Sequence, residues 1–146
     1  MARVFSQEDG NLNTRSIITS RSKDYTDIDL TFENKPSGDV YKKTDAASVK
    51  QAIKNLLLTN EGEKPFQPFY GGDLNQFMFE LSEGFDEEEM EDVIVQSILA
   101  YEPRAILRRV QVTISPDYNT AYAQINFQVK STLEEVEQTL TLTRLR

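Results

Sequence analysis

Tyr101, Glu102, Pro103 and Arg104 have the residue types and spacing best suited to a chemical role in this chain. Proline lacks a backbone N–H and clashes with the preceding turn, so a helix that runs into this segment should end here. In extended backbone, side chains two residues apart point the same way, which would place the Glu102 carboxylate beside the Arg104 guanidinium. Such a pair suits a charged protein surface. The alternative is a helix stop with a local ion pair, which contributes little when exposed.

Composition removes most catalytic chemistry. The chain of 146 residues has no histidine and no cysteine. Disulfides, thiol nucleophiles, Cys/His zinc sites and the usual histidine base are therefore excluded. Gly71-Gly72 lacks both the spacing and the following lysine of a phosphate-binding loop. We predict no metal site and no cofactor.

A carboxylate pair is the catalytic arrangement that stays open. Glycoside hydrolysis needs one protonated carboxylic acid and a second carboxylate about 5 to 10 Å away. Glu102 is the natural candidate for the acid, but Arg104 favours the ionised carboxylate, which is the wrong form. Other pairs, such as Glu80 with Glu83, are open as well, although nothing selects them. We predict that the protein has no catalytic residue and is not an enzyme, with a peptidoglycan-cleaving glycosidase as the alternative.

The charge balance points away from nucleic acid and membranes. Sixteen basic residues stand against 24 acidic ones, a net charge of −8, which repels phosphate backbones and anionic lipids. The first residues do not resemble a signal peptide, and no segment approaches the roughly 20 apolar residues of a spanning helix. We therefore expect a protein that is made in the cytoplasm and binds neither nucleic acid nor membrane.

Helical spacing of apolar residues predicts three helices, over about 45–59, 73–81 and 86–101. Thr44 or Asp45 should cap the first, and Asp86 the third, where Glu89 is placed for a capping box. Residues 64–74 between the first two helices hold two prolines, two glycines and three aromatics. We expect an ordered loop whose aromatics anchor it to the core, with these structural residues: Pro65, Phe66, Pro68, Tyr70 and Gly71.

After Arg104 the apolar period changes from helical to two. Alternating residues predict strands near 110–114, 121–129 and 133–143, with a hairpin at 115–119. The fold class is α+β: a three-stranded antiparallel sheet, C-terminal, packed against two to three helices. Residues 1–44 are polar and read as an extended N-terminal arm, so the domain proper should span residues 45–146.

The Pro-Phe-x-Pro loop at 65–68, Tyr70-Gly71 followed by Leu74, and Tyr101-Glu102-Pro103-Arg104 before alternating strands together resemble one family. It is the sheath-initiator baseplate wedge family of contractile phage tails, often labelled lysozyme-like. Relatives occur in R-type pyocins and type VI secretion baseplates. The resemblance covers about residues 45–143. Two departures are the long arm and Ala105, which stands where a larger aliphatic residue commonly follows the motif.

The resemblance implies a structural protein of the virion tail baseplate, assembled in the host cytoplasm and present in several copies. Tyr101, Glu102, Pro103 and Arg104 would bind the helical core bundle of the wedge proteins. The last strand would bind the tail sheath protein by β-augmentation through Thr139, Leu140, Thr141, Leu142 and Thr143. Central tube or hub proteins are further expected partners.

Overall fold

A computed structural model of the chain describes residues 25–80, 87–115 and 120–143. Its elements follow the order ββααα βββ. They are β1 (Thr26–Ile28), β2 (Lys42–Thr44), α1 (Ala46–Leu58), α2 (Leu74–Glu80), α3 (Glu87–Tyr101), β3 (Ala105–Ser115), β4 (Thr120–Val129) and β5 (Glu135–Thr143). Within these residues no helix has both the length and the apolar character needed to cross a membrane.

The C-terminal third is a three-stranded antiparallel sheet in the order β3-β4-β5, which confirms the predicted α+β class. Because strand side chains alternate, odd residues of β4 and even residues of β5 face the core. The register of β3 on β4 shifts between Leu107 and Arg109. This β-bulge, which the alternation did not predict, moves the inward face of β3 from odd to even residues. Inward-facing buried residues are Ala105, Val112, Ala121, Ala123, Ile125, Phe127, Val129, Val136, Leu140 and Leu142.

The helices cover one face of this sheet. Most of the apolar residues at helical spacing are buried: α1 contributes Val49, Ile53, Leu56 and Leu57, and α3 contributes Met90, Ile94 and Ile98. All belong to a single apolar cluster with the sheet residues. The other sheet face, with Gln111, Tyr122 and Gln124, is exposed. Because one face of the sheet is exposed to solvent, a single layer of helices is enough to cover the other.

Helix ends match the predictions less well than helix bodies. Asp45 is the N-cap of α1, but its φ is 47° and its side chain makes no capping hydrogen bond. The predicted cap chemistry is therefore wrong there. Asp86 and residues 116–119, predicted as the cap of α3 and most of a hairpin, lie outside the described residues.

The segment before α1 contains a strand pair that the sequence did not predict. β1 pairs with β2 in antiparallel register, with Asp27 opposite Lys43. The backbone N–H of Asp45 donates to the Tyr25 carbonyl at 2.8 Å, which ties the hairpin to the start of α1. The division into an arm before residue 45 and a domain after it stays a prediction.

Candidate docking corner and sheet edges

The segment from Tyr101 to Arg104 is a tight corner between α3 and β3. The Glu102 N–H still donates to Ile98 O at 2.9 Å, and the Ala105 N–H donates to Glu102 O at 3.2 Å. Pro103, between them, has no N–H to continue the helix. The helix therefore ends as predicted, and β3 begins one residue after Arg104.

Glu102 and Arg104 bind each other at this corner. Arg104 Nε lies 2.6 Å from Glu102 Oε1, and Nη2 lies 2.8 Å from Oε2. This bidentate geometry is the strongest form of an arginine–carboxylate ion pair. Glu102 is only 5% exposed, and a buried carboxylate is costly without a partner. The pair is thus local, as the alternative reading held, but it is not a solvent-screened surface pair.

The other end of Arg104 reaches two distant parts of the chain. Its Nη1 lies 3.2 Å from Asp27 Oδ2 on β1 and 3.4 Å from Ser48 Oγ on α1. The Ser48 hydroxyl in turn donates to Asp27, and the guanidinium stands 5.6 Å from the centre of the Tyr25 ring. The corner therefore joins β1, α1 and β3.

The charges in this network reinforce one another. The hydrogen bond from Ser48, followed by Arg104, lowers the pKa of Asp27 despite partial desolvation. Hydrogen bonding to Glu102 raises the pKa of Arg104 further. Arg104 makes four side-chain hydrogen bonds to Glu102, Asp27 and Ser48. Most of the guanidinium N–H groups of Arg104 are therefore occupied within the chain. Sequence reasoning missed Asp27 and Ser48, because no local pattern links positions so far apart.

The Pro-Phe-x-Pro loop is attached to the same corner. The Tyr101 hydroxyl donates to Phe69 O at 2.6 Å, and its ring meets that of Tyr70 edge-on, with centroids 5.2 Å apart. Lys64 Nζ caps Tyr70 from 3.7 Å. Burial, and secondarily the charge of Glu102, raises the pKa of the Tyr70 phenol. The two motifs that carry the family resemblance are therefore one structural unit.

Gly71 is the position in this loop that only glycine can fill. Its φ is 145°, and a Cβ there would collide with the Thr59 carbonyl oxygen. The close approach lets the Gly72 N–H donate to Thr59 O at 3.1 Å, while Gly71 O accepts from the Ser97 hydroxyl at 3.2 Å. The backbone at Gly71 and Gly72 thus connects the end of α1 to α3 by hydrogen bonds.

Two of the loop aromatics do not anchor it. Phe66 is fully exposed and Phe69 is 73% exposed, whereas Tyr70 is half-buried. The predicted packing is therefore wrong for Phe66 and Phe69. Phe66 also has φ 65°, a conformation that costs a non-glycine residue energy and often marks a functional loop.

The β3 edge of the sheet is closed from within the chain. The Val112 N–H donates to Glu91 Oε1 at 2.8 Å, and the Ile114 N–H donates to Glu87 Oε1 at 2.9 Å. Both carboxylates belong to α3, which packs along this strand. Two of the backbone donors that an incoming strand would need are therefore taken.

The opposite edge, β5, is open. Residues of an antiparallel pair alternate between facing the partner strand and facing away. Ala123 on β4 lies opposite Val112, whose N–H points away from β4. The backbone N–H and C=O of Ala123 must therefore point toward β5, where Ala123 lies opposite Leu140. By the same alternation the backbone groups of Thr139, Thr141 and Thr143 point outward. They have no hydrogen-bond partner within the described residues.

As chemistry, the corner is a poor hydrolase site. A general acid needs an oxygen that can reach the leaving group, yet Glu102 is buried and both its oxygens accept hydrogen bonds from Arg104. Asp27, the carboxylate on the far side of Arg104, is also hydrogen-bonded. Fold and site together define a small α+β module for protein assembly, with a stiffened corner, one closed sheet edge and one open edge.

Comparison with known proteins identifies the class of assembly. A family model described as "Baseplate wedge protein gp25" matches residues 43–138, and the chain belongs to this family. It is 29% identical over 119 residues to baseplate wedge protein gp25 of Enterobacteria phage T4, covering 80% of this chain and 89% of that protein. The protein is thus a baseplate wedge component of a contractile tail, as the sequence predicted.

Two solved structures share the fold. A chain of the anti-feeding prophage baseplate superposes with a TM-score of 0.55 at 22% identity, covering 80% of this chain and 83% of that one. A protein described as a tail lysozyme from Geobacter sulfurreducens gives a TM-score of 0.56 at 17% identity, covering 67% and 89%. At these identities the likeness concerns the fold alone.

Proposed function

We propose that the protein is a non-enzymatic sheath initiator. It docks on the helical core bundle of the baseplate wedge through the corner at Tyr101, Glu102, Pro103 and Arg104. It then templates the first sheath ring by adding a strand of the tail sheath protein to β5. The observation that carries the proposal is the open β5 edge in a chain of the baseplate wedge family.

The exposed part of the corner supports docking. Pro103 and Tyr101 are exposed, and so are Phe66 and Phe69 in the loop whose Phe69 carbonyl accepts from Tyr101. Aromatic rings and a partly desolvated arginine are typical anchors of protein interfaces. Glu102 is then a positioning residue: it aims the Arg104 side chain rather than contacting the wedge. The aromatic loop extends the docking surface beyond the four motif residues.

The chemistry of β5 supports templating. Its outward backbone groups belong to Thr139, Thr141 and Thr143, while Leu140 and Leu142 fill the core. An added strand would gain main-chain hydrogen bonds without disturbing packing. The exposed Glu135 and Glu137 carry charge that limits indiscriminate edge pairing.

Further partners follow from the baseplate setting. The similar anti-feeding prophage chain comes from a six-fold symmetrised baseplate, so we expect several copies of this protein around one tail. Central tube or hub proteins are candidate neighbours for surfaces that neither the wedge nor the sheath covers.

Docking is tested by charge at the corner. Pro103→Glu adds a charge to the exposed surface without touching the Glu102–Arg104 pair, and Arg104→Gln removes the guanidinium. Both variants should lose co-purification with co-expressed wedge proteins. Arg109→Gln, the same change on an exposed strand residue, is the matched control. Normal wedge binding by a folded Pro103→Glu variant would overturn the docking assignment.

Templating is tested by removing one outward N–H. Thr141→Pro should leave the β4–β5 pairing intact, because proline is tolerated where an edge N–H faces solvent. It should block sheath assembly on purified baseplates seen by electron microscopy, whereas Thr141→Ala keeps the N–H and should assemble. Sheath growth on Thr141→Pro baseplates would count against strand addition at β5.

The absence of enzymatic activity is tested separately. Purified protein should not clear peptidoglycan at any pH across the range in which it stays folded. Clearing that is lost in Glu102→Gln would instead favour the glycosidase alternative.

A further inference from the structure

Beside the open β5 edge runs a groove of about 520 Å³ between α1, the β1–β2 hairpin and β5. Its wall on α1 is one helical face, with residues spaced by three and four. The groove is lined by Leu30, Thr31, Lys43, Ala47, Lys50, Gln51, Lys54, Asn55, Glu137, Gln138 and Thr139. Two lysines one turn apart make this face of α1 locally basic, although the chain has a net charge of −8.

These lysines are not neutralised. Lys43 pairs with Asp29 at 3.1 Å, but Lys50 and Lys54 have no ion-pair partner within residues 25–80, 87–115 and 120–143. Gln138, on the β5 side of the groove, has its Oε1 buried with no hydrogen-bond partner among those residues. Among the described residues, the groove therefore has two unpaired ammonium groups on its α1 wall, Glu137 at its β5 border and an unused polar acceptor.

The geometry of strand addition decides what meets this wall. A strand added to β5 would lie about 4.8 Å away, and its alternate side chains would point the same way as Gln138 and Leu140. That is the side on which α1 lies, because Leu140 is buried in the core with the α1 residues. The inward side chains of the added strand would therefore approach the Lys50–Lys54 face.

We propose that the strand added to β5 carries carboxylates at its inward-facing positions, and that Lys50 and Lys54 select it. The side chains of Glu135 and Glu137 alternate with those of Val136 and Gln138, so they point to the opposite face of β5, where both are exposed. Glu137 also borders the groove. A slip of one residue would move the partner's carboxylates from the lysines to these glutamates. Attraction on one face and repulsion on the other thus set register as well as partner. The inference rests on the proposed strand addition at β5.

The test uses synthetic peptides of about nine residues, the length of β5 itself. In the first peptide, alternate positions hold Thr and the positions between them hold Glu or Val, so that all carboxylates share one face. The second peptide has Lys in place of each Glu. Binding to the full chain is followed by fluorescence anisotropy. The acidic peptide should bind about tenfold more tightly than the basic one, and the preference should shrink in high salt.

Charge reversal supplies the decisive comparison. Lys50→Glu with Lys54→Glu should invert the peptide preference. Arg109→Glu with Lys130→Glu, which makes the same change in net charge on exposed residues outside the groove, should preserve it. Equal binding of both peptides to the unmodified protein, or an unchanged preference after reversal at the groove, would overturn the inference.

Thr141→Pro separates this inference from the proposed function. If this variant binds neither peptide, the β5 edge is the binding site, and the charge preference is judged on that site. If it still binds the acidic peptide, the lysines act without strand addition and this inference fails, while sheath growth on Thr141→Pro baseplates still decides the proposed function. Self-association of the full chain that depends on Lys50 and Lys54 would assign the groove to a second copy and would also overturn the proposal.

Discussion

The two edge strands of the C-terminal sheet differ in whether their outward backbone groups have hydrogen-bond partners. On β3, carboxylates of Glu87 and Glu91 accept the outward N–H groups. On β5, the outward groups of the threonines face solvent. A sheet with two open edges offers backbone donors and acceptors on both sides, whereas this one offers them on one side. The proposed strand addition would therefore be confined to β5.

The closed strand is also fixed at its start. β3 begins next to the buried Glu102–Arg104 pair, and the Lys130 N–H donates to Arg104 O at 2.9 Å. The sheet is therefore anchored along β3 and exposed along β5. What differs between the edges is the element beside them, since α3 packs on β3 and no helix of the described chain packs along the outer side of β5.

The largest expected effect tests which backbone N–H groups of β5 point toward β4 and which point outward. Leu140→Pro removes an N–H that bonds to β4 and opens a gap in the core, so it should cost at least about 3 kcal/mol and abolish cooperative folding. Thr141→Pro, one residue away, should stay folded. Circular dichroism melting curves of the two variants check this. Equal damage from both would show that the alternation on β5 is misassigned.

The anchor of β3 gives the next largest effect. Glu102→Gln keeps the shape but removes the buried charge that pairs with Arg104, and it should cost about 2 to 3 kcal/mol. Thermal unfolding should shift down by roughly 8 °C for a chain of this size. Glu134→Gln, the same change at an exposed residue, serves as the control and should melt within about 1 °C of the parent.

Opening the closed edge should have a moderate effect. Glu87→Gln with Glu91→Gln weakens the acceptors of two β3 amides and should cost about 1 to 2 kcal/mol. The Val112 and Ile114 amides should exchange with deuterium faster, and the protein should begin to self-associate in size-exclusion chromatography. Glu89→Gln, also in the first turn of α3, controls for the helix dipole. A monomer with unchanged exchange would show that the carboxylates do not guard this edge.

The smallest effect concerns pH. Because the folded-state pKa of Asp27 is lowered, its contribution is complete above the ordinary Asp value of about 3.9 and is lost as pH falls through the lower folded value. Amides of the β1–β2 hairpin should therefore lose protection in acid before those of β3 to β5. In Asp27→Asn this difference should be absent. The same acid response in that variant would assign it to another group.

Much of the fold was predictable from the sequence. Helix bodies and strands follow from apolar periods of 3.6 and two, and the stripe from Met90 to Ile98 is buried as expected. The corner at Pro103 followed from the missing N–H. Family membership followed from motif order. The β-bulge at Leu107 was missed because it changes alternation without a marker residue, and the β1–β2 hairpin was missed because its strands are only three residues long.

The sequence by itself determined the three helices, the three long strands, the α+β class and the family, because these depend on local periodicity and on motifs read along the chain. Only the tertiary structure decided that the Glu102–Arg104 pair is buried and that Arg104 reaches Asp27 and Ser48. It also decided that Phe66 is exposed and that β3 is the closed edge. The physical reason is that such contacts join residues far apart in sequence, and their partners are chosen by how helices and strands pack.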